Sequence, residues 1–346
     1  MNGISPTISS ISEGPRQSNF ELLRIVAMLL VLIVHADFLS IGTPSLMDSF
    51  EKPLNFWTRT GIESLSIVCV NVFVLISGWF GIRQKRSGFF KFIFQCLYFS
   101  IGIYLFNLLI GNARISPAGI INCLFVDDGL WFVRAYMLLY LIAPILNTFI
   151  EHQSSKTVRN ILLMFFAYQT FYGWTGWDYT FNFGYSTLSF IGLYLLARYL
   201  RKYNPLQHSK SVWGGVFISC ILINSLIFFI TIWSGNNIIR PYAYNNPIII
   251  IQSIALLQLF KCLKIKYNRY INWISASAFA VYLLHINTMT ITLYKTAVSD
   301  IYCGYDGIRC ITGIFIFILS VFGIAVLIDQ PRKLLWNFLN KHIGSK

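Results

Sequence analysis

Phe20-Glu21-Leu22-Leu23-Arg24-Ile25-Val26-Ala27-Met28-Leu29-Leu30-Val31-Leu32-Ile33-Val34-His35-Ala36-Asp37 is apolar almost throughout, and between Glu21 and Asp37 it is broken only by an arginine and a histidine. Taken as 22–41, the run is long enough to cross the hydrocarbon core of a bilayer as a helix. Ten residues separate Arg24 from His35. Eleven steps of about 100° make three turns plus about 20°, so both side chains fall on one face, about 16 Å apart along the axis. An ionisable group at membrane depth is costly and normally faces a bundle interior or a watery cavity. One helical ridge therefore carries a cation at one end and an imidazole deep within.

The rest of the chain is of the same kind. Of 346 residues, 56% are hydrophobic, 17% aromatic and 12% charged, where a soluble domain carries about 25% charge. This balance argues against a cytosolic enzyme. Eight stretches of 18 or more residues lack Asp, Glu, Lys and Arg: 64–82, 92–113, 160–177, 179–197, 211–239, 241–260, 270–294 and 310–328. With 22–41, broken by Arg24 and Asp37, and 130–150, broken by Arg134, they predict an all-α, polytopic membrane bundle of about ten transmembrane helices. These span 22–41, 62–80, 90–110, 130–150, 160–175, 183–199, 212–233, 246–261, 271–294 and 310–329. Longer outer loops are expected at 42–61, 111–129 and 295–309. Neither a repeat nor an inverted similarity between halves is visible, which disfavours a repeat-built transporter.

Charge sets the expected orientation. With the N-terminus inside, nineteen of the 27 Lys and Arg residues fall in inner segments and six in outer ones, so both termini are predicted cytoplasmic. The net charge of +14 is then a matter of membrane insertion and calls for no nucleic-acid partner. Nine of the thirteen acids, Asp37 and Glu63 among them, lie on or near the outer side, as a solvated rim or as part of a site for a polar acceptor. Residues 1–20 read as a polar tail, 21–331 as a single membrane domain and 332–346 as a basic cytoplasmic tail. The seven cysteines lack metal-site or redox-pair spacing; Cys303 and Cys310 fall near the outer face, where an oxidising periplasm permits a disulfide. No metal and no permanently bound cofactor is expected.

Each polar candidate has a plain alternative. Arg24 reads as a positive-inside anchor paired with Glu21, or as an anion ligand. His35 is either a satisfied packing histidine or a general base, since imidazole titrates near neutral pH. His285, at a similar predicted depth, is a packing histidine or a second acid/base. Tyr282, one turn earlier on its face, can hydrogen-bond inward. Ser77-Gly78 is a close helix contact or a point of ligand approach. Asp37, two residues after His35, faces elsewhere. Trp174, Trp177 and Tyr179 read as an aromatic belt.

The Arg, ten residues, His spacing resembles the signature of the acyltransferase-3 family of polytopic membrane acyltransferases. Four further landmarks follow in family order. Asn71-Val72-Phe73-Val74-Leu75-Ile76-Ser77-Gly78-Trp79-Phe80 resembles the second-span pattern ending in Ser-Gly-aromatic. Leu130-Trp131-Phe132-Val133-Arg134, with Tyr140 and Ala143-Pro144, is similar to the Trp-aromatic motif of the fourth span. Ala280-Val281-Tyr282-Leu283-Leu284-His285 resembles the late Tyr-Leu-x-His element, and Ile328-Asp329-Gln330-Pro331 the closing Ile-Glu-x-Pro. Val72 stands where an aromatic is common, and Asp329 replaces Glu.

The resemblance implies an O-acyltransferase of the bacterial cytoplasmic (inner) membrane. It would take an acyl group, most often acetyl, from cytoplasmic acyl-CoA as co-substrate and pass it to a hydroxyl of a surface polysaccharide or lipid-linked sugar. On that reading His35 and His285 are the catalytic candidates. Arg24, Ser77, Arg83, Lys85 and Arg86 lie toward the donor phosphates, and Trp131, Arg134 and Tyr282 toward the acceptor. His35 would serve as general base or as a transient acyl carrier. The alternative is a glycan carrier or flippase that transfers no acyl group, with a purely structural membrane subunit a distant third.

Overall fold

The computed structural model describes residues 16–126, 128–176, 178–235 and 238–343, so most of the expected tail 1–20, together with Asp127, Trp177 and 344–346, lies outside the described residues. Every regular element among those described is helical. In chain order they are α1 (Ser18–Ala36), α2 (Leu46–Glu51), α3 (Pro53–Ser66), α4 (Cys69–Phe80), α5 (Arg86–Leu109), α6 (Pro117–Ile121), α7 (Trp131–His152), α8 (Ser155–Tyr168), α9 (Thr187–Tyr203), α10 (Lys210–Ser234), α11 (Pro247–Lys261), α12 (Arg269–Ser275), α13 (Ala278–Ile286), α14 (Thr288–Gly304) and α15 (Gly307–Ile343).

A helix that is apolar all round belongs in the middle of a bundle. Accordingly α1 touches α3, α4, α11, α12, α13, α14 and α15, and Leu23, Ala27 and Leu32 are fully enclosed. Polar ties fix its axial position. Glu21 accepts hydrogen bonds from Arg24 and from Ser275 of α12, and Asn268 N–H donates to Ser18 Oγ at 2.8 Å. At the other end α1 continues into a π turn, Asp37–Ile41, where the Asp37 carboxylate takes a hydrogen bond from Arg59 Nε at 2.7 Å. The α4–α9 contact is closer still. A Cβ placed on Gly78 would lie 2.5 Å from the Tyr194 carbonyl oxygen and 2.8 Å from Ala197 Cβ, so only glycine lets the two backbones meet. Outward faces of α5, α10 and α15 expose Leu109, Leu222 and Leu327, as a surface bathed in lipid requires.

The expected ten spans resolve less evenly than the hydropathy suggests. Among the described residues, six helices or helix pairs are long and apolar enough to cross a membrane: Ser18–Ile41, Pro53–Phe80, Arg86–Leu109, Trp131–His152, Lys210–Ser234 and Gly307–Lys341; a bent pair makes a seventh if it is counted as one span. α8 is prolonged by a π turn, Gln169–Thr175, while α9 and α11 have 17 and 15 residues. The expected single span 271–294 is broken. Asn287 leaves the helix and caps the next one, accepting a hydrogen bond from Met289 N–H at 3.0 Å, and the chain turns through 85°. A short polar side chain offers the backbone a local partner and so ends a helix inside an apolar run. Two segments expected as loops are mostly helical as well. Residues 42–61 contain α2 and the start of α3, where Pro53 occupies the first turn, as suits a residue lacking an N–H. α14 carries the chain through 295–304. Cys303 and Cys310 are both free thiols.

Candidate active site

The ridge read from the sequence continues as Arg24, Met28, Val31 and His35, and its last three members line a cavity of about 430 Å³. Glu63, Ile67, Val70 and Phe73 wall it from α3, α4 and the bend between them. Trp131 and Phe132 wall it from α7, and Phe279 and Tyr282 from α13. Tyr185, Tyr242 and Tyr244 close it from the segments beside α9 and α11. The lining is largely aromatic, with few polar groups, which is the usual make-up of a small-molecule site.

His35 and His285 meet here. His35 Nδ1 lies 2.8 Å from His285 Nε2, and His285 Nδ1 lies 2.7 Å from the Val281 carbonyl oxygen. A carbonyl only accepts, so His285 Nδ1 carries the proton. In a neutral ring His285 Nε2 is then the acceptor, and His35 Nδ1–H donates to it. This leaves the lone pair of His35 Nε2, for which no described residue supplies a hydrogen bond. His35 borders the cavity and His285, which is buried, does not. Tyr294 holds the pair in register: its hydroxyl donates to the Leu32 carbonyl of α1 at 2.7 Å and its ring packs against His285.

Arg24 stops one turn short of the cavity. Its guanidinium is bonded to Glu21 and lies 5.9 Å from the Phe80 ring centroid. Ser77 is at this end as well, bonded to Tyr136 Oη at 3.1 Å, and Tyr136 stacks on Phe132 of the cavity wall. Arg83, Lys85 and Arg86 are exposed, the first two on the loop before α5 and the third at the start of that helix, and the Arg83 and Lys85 carbonyls accept from Tyr140 Oη at 3.4 and 3.2 Å. That loop begins at Gly81, whose φ of +77° suits a residue without a Cβ.

The acceptor-side candidates divide. Trp131 lies in the wall against Tyr185 and Tyr244. Tyr282 lines the cavity with its ring, but its hydroxyl donates to the Gly129 carbonyl at 2.9 Å. Arg134 is exposed and is not a lining residue. The cavity takes the arc of α7 held by Trp131 and Phe132, and three steps past Trp131 bring Arg134 about 110° away from the middle of that arc. Asp37 pairs with Arg59 rather than with His35, as its helical position implied. Trp174 differs from a belt residue, since it is buried with its indole N–H on the Arg240 carbonyl at 2.9 Å; Tyr179 is exposed.

Reading the sequence missed Glu63 as a site residue. Its carboxyl lines the cavity at 3% residue exposure, and Oε2 has no hydrogen-bond partner. The charge-free window begins at 64, one residue past Glu63, so that although the expected span 62–80 holds this residue it reads only as one of the outer acids. The available signal was Pro53 followed by Phe56, Thr60, Glu63, Ser64 and Ile67, a helical spacing that carries the helix outward and buries Glu63 within it.

One family comparison accompanies the ordered motifs, the central polar ridge and the histidine pair beside the cavity. A profile described as an acyltransferase domain, that of the acyltransferase-3 family, covers residues 17–329. The chain belongs to that family, and is a multi-pass membrane protein of the acyltransferase class. No curated protein and no solved structure gives a significant match.

Proposed function

We propose that the protein is an O-acyltransferase of the bacterial cytoplasmic membrane, moving an acyl group, most simply acetyl, from acyl-CoA to a hydroxyl of a surface glycan or lipid-linked sugar. In this reading the Arg24 end faces the cytoplasm, both termini lie inside, and α8, α9, α11 and the bent α12–α14 segment complete ten crossings. The observation that carries the proposal is the unengaged Nε2 of His35 at the cavity, held by a second histidine whose tautomer is set by a backbone carbonyl.

The chemistry follows from that nitrogen. His35 Nε2 takes the proton of the acceptor hydroxyl as its oxygen attacks the thioester carbonyl. The tetrahedral intermediate collapses with cleavage of the C–S bond, and the leaving thiolate takes the proton back from the imidazolium, giving ester and free thiol. While His35 is charged, its Nδ1–H bond to His285 Nε2 strengthens. His285 is thus a positioning residue, one step removed from the reacting atoms. The same lone pair also suits a transient acyl-imidazole. At the inner end Arg24 is placed to exchange part of its bond to Glu21 for a donor phosphate, and the exposed Arg83, Lys85 and Arg86 add positive charge for the rest of the nucleotide. An extended arm following the ridge over about 16 Å would bring the thioester to His35.

The test uses membranes holding the full chain, radiolabelled acetyl-CoA and extracted envelope glycan. A labelled ester should form, and it should be lost in His35→Ala and Arg24→Ala. Acceptor translocation that proceeds without acyl-CoA, with no ester formed, would instead establish the carrier reading.

A further inference from the structure

Glu63 occupies the same cavity as His35, but the transfer chemistry above makes no use of it. Its carboxyl lies beside the Phe38 backbone N–H, three residues beyond His35 and so about one helical turn, some 5 Å, further along the axis of α1. Asp37 and Arg59 are its charged neighbours, but the Arg59 guanidinium is already committed to the Asp37 carboxylate and the Gly42 carbonyl. Oε2 is therefore an acceptor with no donor, enclosed in a wall that is otherwise mostly aromatic. A buried polar atom left without a partner is destabilising by itself, and an acid kept at membrane depth points to a ligand.

We propose that Glu63 is the acceptor-orienting residue of the cavity. Its Oε2 accepts a hydrogen bond from a hydroxyl next to the one that reacts at His35, so the ligand is a polyol with neighbouring hydroxyls, of the sugar class, seated among Trp131, Tyr185 and Tyr244. This deepens the acyl-transfer reading and rests on it for the identity of the reacting hydroxyl. One free acceptor oxygen beside flat aromatic faces matches a sugar ring, whose apolar face stacks while its edge donates. A site that hydrogen-bonds a buried hydroxyl rejects an analogue lacking it far more strongly than a hydrophobic pocket rejects a changed methylene. Specificity for one hydroxyl pattern is the expected signature.

Calorimetric titration of the full-length protein in nanodiscs tests this without any acyl donor. The probes are the methyl glycosides of glucose, galactose and N-acetylglucosamine, each with its single-deoxy analogues. The wild type should bind at least one parent glycoside saturably and one of its deoxy analogues at least tenfold more weakly. Glu63→Gln should bring that pair within twofold of each other. Glu63→Asp, which keeps a carboxylate on a shorter arm, should retain the discrimination at lower affinity and covers the case in which the amide variant fails to fold. Discrimination unchanged in Glu63→Gln overturns the assignment, as does saturable binding of choline with no binding of any glycoside. The two proposals fail separately: a wild type that binds glycosides but never forms an ester refutes acyl transfer, whereas one that forms the ester with the same hydroxyl preference in Glu63→Gln refutes the role of Glu63.

Discussion

Replacing His285 by alanine isolates what the histidine pair does. Of the two rings only His35 borders the cavity, so His285→Ala leaves the proposed base in place and removes the acceptor 2.8 Å from its Nδ1–H. Leaving a buried donor without a partner costs about 1–3 kcal/mol. If the whole of that falls on the active tautomer and orientation of His35, kcat/KM drops roughly five- to 150-fold at about 1.4 kcal/mol per decade. His35→Ala removes the base itself, for which about 10²- to 10⁴-fold is expected. The two losses should not multiply. Once His35 is gone His285 has nothing to position, so the double variant should fall within about twofold of His35→Ala alone. His285→Gln offers a side-chain oxygen as acceptor at similar reach and should recover most of the His285→Ala loss. The assay is ester formation from labelled acetyl-CoA in membranes, normalised to folded protein by size-exclusion chromatography. A His285→Ala variant with unimpaired kcat/KM, or a double variant lower than His35→Ala by the full His285 factor, would refute the positioning role.

Three further outcomes test the framework around the pair. Gly78→Ala puts a methyl group 2.5 Å from the Tyr194 carbonyl oxygen and should lower stability by about 1–3 kcal/mol, read as a drop in the apparent Tm in detergent; an unchanged Tm would show that α4 and α9 part freely. Asp329→Asn removes the charge partner of the buried Arg332, whose Nε and Nη2 donate to the carboxylate at 2.6 and 3.1 Å, and should cost about 3–5 kcal/mol, with the double variant Asp329→Asn/Arg332→Met more stable than the single one. The Ser45 hydroxyl and backbone N–H hold the Asp48 carboxyl below its ordinary value. A depressed folded value means that this support for α2 is present above the unfolded carboxylate range and is lost as pH falls through the folded one. The protection of peptide 43–52, its exchange relative to the intrinsic amide rate at each pH, should accordingly fall on acidification in the wild type, while Ser45→Ala shows low protection throughout; equal pH dependence of protection in both would remove the cap from the account.

The histidine ridge was legible because it depends only on helix geometry: an 11-residue offset returns to one face whatever surrounds it. The partner of that ridge was legible only as a depth. Counting along the expected span 271–294 puts His285 near His35 in height, but the hydrogen bond between them depends on the way α13 leans on α1, which no spacing within α13 encodes. Hydropathy misled in two directions. It left Glu63 at the edge of its window, where an acid reads as part of the outer rim, and it joined α13 to α14, because Asn287 is uncharged and leaves the window apolar while capping the next helix. Tyr185, Tyr242 and Tyr244 lie in connecting segments with no helical period, so their convergence on the cavity follows from tertiary packing alone. Arg134 is absent from the cavity lining for a related reason, since its place around α7 relative to Trp131 and Phe132 decides what it faces, and its place along the helix does not.

The closing Ile328-Asp329-Gln330-Pro331 motif has no residue in the cavity, and its place in the chain of contacts explains how it bears on the site. Asp329 is fully enclosed and holds both Arg332 and Lys333. Lys333 Nζ and Gln330 Nε2 then reach Ser277 Oγ at 2.6 and 3.3 Å. Ser277 is the residue from which α13 starts, between the end of α12 and Ala278. Two turns further along α13 sits His285, so this nine-residue helix is held by a clamp at one end and by the Asn287 break at the other. A rotation of α13 by one residue, about 100°, would carry His285 away from His35. The aspartate in place of glutamate is compatible with this duty, because the shorter side chain still receives both guanidinium hydrogen bonds from a partner three residues on along the same helix. On the proposed acyl-transfer reading the motif bears on the reaction through the azimuth of one short helix, so substitutions there should lower transfer and stability together, whereas substitutions at His35 should lower transfer alone.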